Sequence, residues 1–377
     1  MTKTEKALIY LMYCAANDVK PDISKIESVN PDGLYEFALF HSLAAPAAIM
    51  LKRAGIKNNK FDLYLKKTLR KLFLLDHDRN ALINILEETK IWYCPLKGII
   101  LKDIYGEPGL REMADNDILI DPAYEDDVAQ IMTFLKYNAE INPEGNDTHD
   151  TYIKNPGLIF EMHKRLFGVV DAENLSEYYD KHLKDLLVRD DDTYCRRFTD
   201  EDFYIFLVAH EYKHLCYVGT GLRSLLDRYV FLNKKGETLD REYIDAQLHE
   251  MKTDKFEKES RELAFKLFSG EDIAPLTADE GKLLEKYLRS GTFGTYEDLV
   301  NKRLDAEDKE SFSKSKYIRK RLFPNREYLA KSVPFVKKSP LLYPAGYVWR
   351  IIKAVFSKSD RTSSEIKTLK NYDKDKR

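Results

Sequence analysis

Two aspartates separated by one residue open a short apolar run at residues 115–120, DNDILI. Because side chains alternate between the two faces of a strand, the carboxylates of Asp115 and Asp117 are expected to point to the same side. Two neighbouring carboxylates repel each other, and the pair is tolerable mainly when a cation lies between them. The spacing therefore predicts a site for a divalent cation.

A turn that contains Lys97 and Gly98 precedes the aspartate pair, and Arg111 lies between the two. Glycine lets a backbone approach phosphate closely, and the free N–H groups at the start of a helix favour anions. Lys97 adds a point charge, and the planar guanidinium of Arg111 suits a triphosphate. A simple ion pair of Arg111 with Glu107 or Glu112 is the alternative. The combination predicts a nucleoside triphosphate site.

Residues 158–163 offer a third carboxylate. On a strand, Glu161 and His163 would lie opposite Phe160 and Met162, so Glu161 can occupy the polar face. Three other aspartates compete for the role: Asp121, which more simply caps the next helix, Asp147 and Asp150.

These motifs resemble the signature of the nucleotidyltransferase superfamily, the polymerase-beta-like fold, and most closely its bacterial branch of largely uncharacterised nucleotidyltransferases. The resemblance rests on residues 96–98 (LKG), 105–106 (YG), Arg111, 115–120 (DNDILI) and 160–163 (FEMH). It extends through His210, Lys213, His214 and Asp227 to residues 321–324 (RLFP), and so covers about residues 90 to 355. In that branch Lys-Gly replaces the usual Gly-Ser, so Lys97 must compensate for the missing serine hydroxyl.

The resemblance implies Mg²⁺-dependent transfer of a nucleoside monophosphate from an NTP to an acceptor, with release of pyrophosphate. Asp115 and Asp117 would hold two Mg²⁺ ions, for which Mn²⁺ is an alternative. Glu161 would bind the catalytic ion and help to deprotonate the acceptor, while Lys97, Gly98 and Arg111 would bind the nucleotide. The acceptor stays open between a small molecule, a sugar phosphate, a protein and a tRNA end. A non-catalytic nucleotide-binding or scaffold protein that keeps the fold is the alternative function.

The pattern of elements predicts an α+β protein with a small mixed sheet between helical regions. Four parts are expected: a helical region 1–89, a nucleotidyltransferase core 90–170, a helical domain 171–310 and a basic tail 311–377. Within the core we expect strands at 91–96 and 117–120, helices at 98–105 and 124–138, and a hairpin of 151–153 with 158–162.

His210 and His214 flank Glu211 in an HExxH pattern, which is typical of zinc peptidases. Both histidines also continue an apolar helical stripe, so a packed or hydrogen-bonded pair is the simpler interpretation, and no third ligand stands out. Asp227 is expected to form a helix-surface ion pair with Arg223 or Arg228.

The net charge of −2 conceals an asymmetry, because residues 311–377 hold 18 Lys and Arg against 5 Asp and Glu. A helix with apolar residues at 347, 348, 351, 352, 355 and 356 is expected there. It would dock on the core, lie on a membrane surface or help to bind RNA. The four cysteines are scattered and fit a reducing cytoplasm, and the basic tail allows peripheral contact with a membrane.

Overall fold

The computed structural model describes residues 1–140, 148–168, 173–189, 192–217, 219–292 and 339–356, together with residues 319, 323, 329, 333 and 336. The chain forms two compact units. The first contains residues 1–140 and 147–293, and the second contains residues 141–146 and 294–377. The predicted boundaries after residues 89 and 170 both fall within the first unit, and the four-part division stays a prediction.

The first unit begins with four helices, as the sequence predicts for this region. They are α1 (Lys3–Asn17), α2 (Pro31–Phe40), α3 (Ala44–Arg53) and α4 (Asn59–Glu88). Thr2 and Glu5 form a capping box at the start of α1, and Asn58 caps α4. The apolar faces of α1, α2 and α3 pack with helices from the later part of the chain, so the N-terminal region and those later helices share one core.

A mixed five-stranded sheet forms the centre of the first unit. Its strands are β1 (Tyr93–Pro95), β2 (Asn116–Ile120), β3 (Asn138–Ala139), β4 (His149–Lys154) and β5 (Leu158–His163), in the spatial order β1-β2-β5-β4-β3. Only the β2–β5 pair is parallel within this sheet, and the other neighbours are antiparallel. The expected strands and the β4–β5 hairpin are therefore present, whereas the sequence did not predict the two-residue strand β3.

Two helices connect these strands, α5 (Gly98–Tyr105) and α6 (Glu125–Phe134). Helix α5 has the predicted bounds. Helix α6 stops four residues before the predicted end, because Lys136 takes a left-handed conformation (φ 67°) and Tyr137 donates its backbone N–H back to Met132. This is a Schellman ending, which satisfies the last carbonyls without glycine.

The two faces of the sheet pack against different helices. One face carries Ile118, Ile120 and Phe160, and it packs on α4 and α6. The other face carries Leu119 beside the polar residues Asp117 and Glu161, and the helices around α5 cover its apolar part. The fold therefore turns Asp117 and Glu161 toward the later helices.

Six helices follow the sheet: α7 (Glu173–Leu186), α8 (Asp200–Tyr217), α9 (Leu222–Lys235), α10 (Arg241–Glu250), α11 (Asp254–Phe268) and α12 (Ala278–Ser290). Thr277 and Glu280 form the predicted capping box of α12. Between α7 and α8, the chain adds a two-stranded sheet of β6 (Val188–Arg189) and β7 (Arg196–Arg197), which the sequence did not predict.

The described residues of the second unit include one helix, α13 (Tyr343–Phe356), where the tail helix is predicted. Leu329, Val333 and Val336 are buried together, with Tyr343 and Tyr347 packed against them, whereas Val348 and Trp349 are about half exposed. Whether the tail meets RNA or a membrane surface stays a prediction. Among the described residues, none of the helices combines the length and the apolarity that crossing a membrane requires.

Candidate active site

Strands β2 and β5 bring the predicted carboxylates together. Asp117 and Glu161 are direct partners in the parallel register, and Asp115 immediately precedes β2. All three line one cavity of about 300 Å³ in the first unit, with Lys97 and Gly98 at its edge. The parallel pairing of β2 with β5 is what places the third carboxylate beside the pair.

The competing aspartates lie elsewhere. Asp121 accepts the backbone N–H of Ala123 and so caps the turn after β2, as expected. Asp150 forms an ion pair with Lys164 at 3.3 Å. Asp147 lies outside the described residues.

Asp117 is the most tightly held of the three acids. The Nζ of Lys97 lies 2.7 Å from Oδ1 of Asp117, and Nε2 of His163 lies 2.9 Å from the same oxygen. Although burial opposes ionisation, Lys97 and the hydrogen bond from His163 hold the pKa of Asp117 well below its usual value. Asp117 is therefore a carboxylate with a permanent negative charge.

Asp115 behaves differently. Burial and the negative charges of Asp117 and Glu161 together raise its pKa to about 7, although the positive charges of Lys97 and Arg223 lower it in part. The three acids thus hold more negative charge than the nearby side chains neutralise. An oxygen-rich cluster with this excess suits a hard divalent cation such as Mg²⁺.

Strand β2 is anchored from its opposite face by Asn116, which is fully buried between the two aspartates. Its Nδ2 donates to the carbonyl of Leu75 at 3.0 Å, and its Oδ1 accepts from Nη1 of Arg79 at 3.1 Å. Both partners belong to α4. The aspartates therefore project from a strand whose position is fixed by a helix of the N-terminal region.

The Lys97–Gly98 turn has an unusual backbone. Lys97 has φ 47° and ψ −115°, in the left-handed half of the map that a residue with a Cβ rarely adopts. This conformation lets α5 start at Gly98 while Nζ of Lys97 reaches back to Asp117. A Cβ on Gly98 would lie 2.6 Å from Sδ of Met113, so the turn also needs glycine for space, unless the flexible methionine moves.

Arg111 lines the same cavity but already has protein partners. Its Nε donates to Oδ1 of Asp227 at 2.7 Å, and its Nη1 donates to the backbone carbonyl of Glu112. The expected alternative of an ion pair with the carboxylate of Glu107 or Glu112 is wrong, because Arg53 binds the Glu107 carboxylate and the Glu112 carboxylate accepts from other groups. Phosphate binding by Arg111 stays a prediction.

Asp227 also differs from expectation. It is buried, and it accepts the hydroxyl of Tyr105 in addition to Nε of Arg111. The expected surface ion pair with Arg223 or Arg228 is wrong, because Asp227 faces α5 across the cavity wall rather than solvent. Its position ties helix α9 to the end of α5 and to Arg111.

Two histidines add nitrogen donors next to Glu161. His149, His163 and Glu161 each place one potential ligand atom within 4.8 Å of the others. Nδ1 of His149 lies 3.2 Å from the hydroxyl of Thr148, while its Nε2 lies 3.7 Å from Oε1 of Glu161. The sequence did not single out His149 as a site residue. Counting back through the β4–β5 hairpin would have found it, since His149 pairs with His163.

The HExxH residues lie on α8 in the opposite wall of the cavity. The Nε2 atoms of His210 and His214 are 3.1 Å apart, so the rings form the hydrogen-bonded pair that the simpler interpretation expects. Glu211 is bound by Arg228 and by the hydroxyl of Tyr287. A glutamate held by a buried arginine is not free to act as the base of a zinc hydrolase.

The comparisons with known proteins agree with this geometry. Residues 27–269 match the protein family described as "Uncharacterised nucleotidyltransferase". The match covers more than half of the chain, which therefore belongs to this nucleotidyltransferase family. Comparison with curated proteins and with solved structures gives no match. The matched range begins within the N-terminal helices and ends before the tail, and it supports nucleotidyl transfer as the general activity and the α+β fold as predicted.

Proposed function

We propose that this protein transfers a nucleoside monophosphate from an NTP to an acceptor in a Mg²⁺-dependent reaction that releases pyrophosphate. One observation carries the proposal: Asp115, Asp117 and Glu161 converge in one cavity beside the Lys97–Gly98 turn. A fold kept only for binding would not need the third acid, so the presence of Glu161 beside the pair favours an enzyme over the non-catalytic alternative.

The donor set fits divalent metal ions. Asp115, Asp117 and Glu161 would hold them, and the raised pKa of Asp115 records the excess negative charge that a cation would neutralise. Bound metal ions would supply charge neutralisation at the phosphates and activation of the acceptor oxygen. His149 and His163 add imidazole nitrogens, which Mg²⁺ binds poorly and later first-row transition ions bind well.

The positions of the side chains support the following reaction. The acceptor oxygen forms a bond to the α-phosphorus, and the bond from that phosphorus to the oxygen that bridges to the β-phosphate breaks. Pyrophosphate leaves with the electron pair, and Glu161 takes the proton of the acceptor. Lys97 and the N–H of Gly98 lie where they can hold the triphosphate, so they orient the α-phosphate for in-line attack.

The test is to incubate the protein with each α-labelled NTP and a cell extract in the presence of Mg²⁺. We expect the label from at least one nucleotide to move to an acceptor, with pyrophosphate released in equal amount. Chelation of the metal should stop both. Tight binding of Mg-NTP without pyrophosphate release in any extract would contradict the proposal and favour the binding protein.

A further inference from the structure

Arg223 stands apart from the other arginines that line the cavity. It is the second residue of α9 and is partly buried, and it has no hydrogen-bond or ion-pair partner among the residues that the structure describes. Lys97, Arg111 and Arg228, in contrast, are each bound to an acid: Asp117, Asp227 and Glu211, respectively. Among the described residues, Arg223 thus has no acid in direct contact, although the charges of Asp227, Asp115 and Glu112 act on it without a hydrogen bond.

In the free protein, the surroundings of Arg223 do not favour a charged guanidinium. The nearest acid on its own helix, Asp227, is already shared by Arg111 and Tyr105. Burial and the positive charge of Arg111 lower the pKa of Arg223 to about 10, and the negative charges of Asp227, Asp115 and Glu112 offset this lowering only in part. Buried charges in proteins are normally paired, so an anion from outside the chain is the missing partner.

Other groups in the cavity favour the same kind of ligand. No side chain caps the start of α5, and the N–H of Gly98 has no acceptor among the described residues. Thr220 and Ser224, on either side of Arg223 in sequence, place two mutually hydrogen-bonded hydroxyls in the cavity wall. Hydroxyls, a free helix start and a guanidinium are the groups that bind phosphate oxygens in proteins.

We propose that Arg223 binds the β- or γ-phosphate of the donor nucleotide, across the cavity from the three acids. This inference rests on the proposed function, because it takes an NTP as the occupant. Arg111 then serves as a positioning residue, since its bond to Asp227 fixes α9 and occupies the acid that could otherwise form a direct ion pair with Arg223. The triphosphate would lie between the Lys97–Gly98 turn and α9, with its α-phosphate toward Asp115 and Asp117.

The test uses inorganic tripolyphosphate as the probe, with binding measured by calorimetry. We expect Arg223→Gln to weaken binding about 10- to 100-fold, the range for loss of a charge-assisted contact, and Arg223→Lys to weaken it less. Arg289→Gln is the matched control, since Arg289 lies on the surface and, within the part of the chain that the structure describes, pairs only with Glu285 on its own helix. Equal binding by wild type and Arg223→Gln, or no binding by wild type, would overturn the inference.

Comparing the binding of an NTP with that of its monophosphate shows which phosphate Arg223 contacts. Arg223→Gln should weaken binding of an NTP and leave binding of the matching monophosphate unchanged; equal loss for both would contradict contact with the β- or γ-phosphate. Because Arg223 has no hydrogen-bond or ion-pair partner to lose among the described residues, the thermal unfolding midpoint of Arg223→Gln should stay the same or rise. A lower midpoint would instead indicate a structural role.

The two hypotheses fail in different ways. If wild-type protein releases no pyrophosphate from any NTP but binds tripolyphosphate in an Arg223-dependent manner, the proposed activity is wrong and the anion site stands. If transfer occurs with the same Michaelis constant for NTP in wild type and Arg223→Gln, the activity stands and the anion site is wrong.

Discussion

The two walls of the cavity carry opposite charge and hold it in opposite ways. The sheet wall is formed by Asp115, Asp117 and Glu161. These three acids carry more negative charge than the neighbouring Lys97 and His163 neutralise. The helix wall, formed by α8 and the start of α9, contains Arg223, which has no direct hydrogen-bond or ion-pair partner among the described residues. A site that holds excess negative charge on one side and excess positive charge on the other fits metal ions and phosphates bound together.

The largest expected effect comes from removing charge on the sheet wall. The double variant Asp115→Asn/Asp117→Asn should lose about a thousandfold or more of its pyrophosphate release, because it cannot hold the cations that neutralise the triphosphate. Circular dichroism should show an intact fold, since Asn116 keeps strand β2 in place. Asp121→Asn, which changes the acid that caps the turn directly after β2, is the control and should keep full activity. Unchanged turnover in the double variant would show that Asp115 and Asp117 are not needed for the reaction.

Glu161 allows a sharper test of the same wall. Glu161→Gln keeps the shape of the side chain and removes its charge, so we expect about a hundredfold loss of turnover with little change in NTP binding. Asp150→Asn changes an acid on the neighbouring strand that pairs with Lys164, and it should have little effect. If the control loses activity and Glu161→Gln does not, the third carboxylate has been misassigned.

His149 gives a smaller effect, on the choice of metal. Co²⁺ prefers imidazole ligands more than Mg²⁺ does, so His149→Ala should weaken Co²⁺ binding about tenfold while changing Mg²⁺-supported activity much less. The absorption of bound Co²⁺ reports its affinity directly. His182→Ala, on α7 beside Glu250, is the control. Equal Co²⁺ affinity in His149→Ala and wild type would restrict the metal site to carboxylates.

The smallest effect concerns stability, and here the two walls should respond to pH with opposite sign. Burial lowers the pKa of His214 to about 3, below the unfolded value near 6.5, so this histidine contributes stability above pH 6.5 that is lost as the pH falls toward 3. Asp115, with its pKa raised to about 7, contributes stability below pH 4 that is lost as the pH rises toward 7.

Urea unfolding of metal-free protein between pH 4 and pH 6.5 separates these contributions. One group that binds a proton in only one state changes the slope of unfolding free energy by about 1.4 kcal/mol per pH unit. His214→Gln should make the slope less positive, and Asp115→Asn should make it more positive. Slopes that change in the same direction in both variants would contradict the proposed charge imbalance.

The acids of the sheet wall could be predicted from the sequence because the spacing of residues within each short strand indicates which side chains share a face. The alternation of side chains in two short strands placed Asp115 with Asp117 and Glu161 with His163, and the structure pairs β2 with β5 directly. Helix α5 was predicted to the residue, since glycines mark its start and its end. Strands of two residues such as β3 and β6 are too short for any periodicity to show.

The helix wall was hidden from sequence analysis for a physical reason. Arg111 and Asp227 are 116 residues apart, and Tyr105 and Asp227 are 122 residues apart, so only the packing of α5 on α9 reveals these pairs. Local spacing on α9 favoured a surface ion pair between neighbours instead. Arg223 could not be recognised without this knowledge, because its role depends on the acid next to it being taken.

The anchoring of Asn116 by α4 has a consequence for any attempt to shorten the protein. A fragment that starts at residue 90 would contain every acid of the cavity, yet Asn116 would lose both the Leu75 carbonyl and the Arg79 guanidinium. The side-chain amide of Asn116 would then lack both of these hydrogen-bond partners. The smallest piece able to hold the aspartates in place must therefore include α4, so the N-terminal helices are part of the catalytic body rather than an appendage to it.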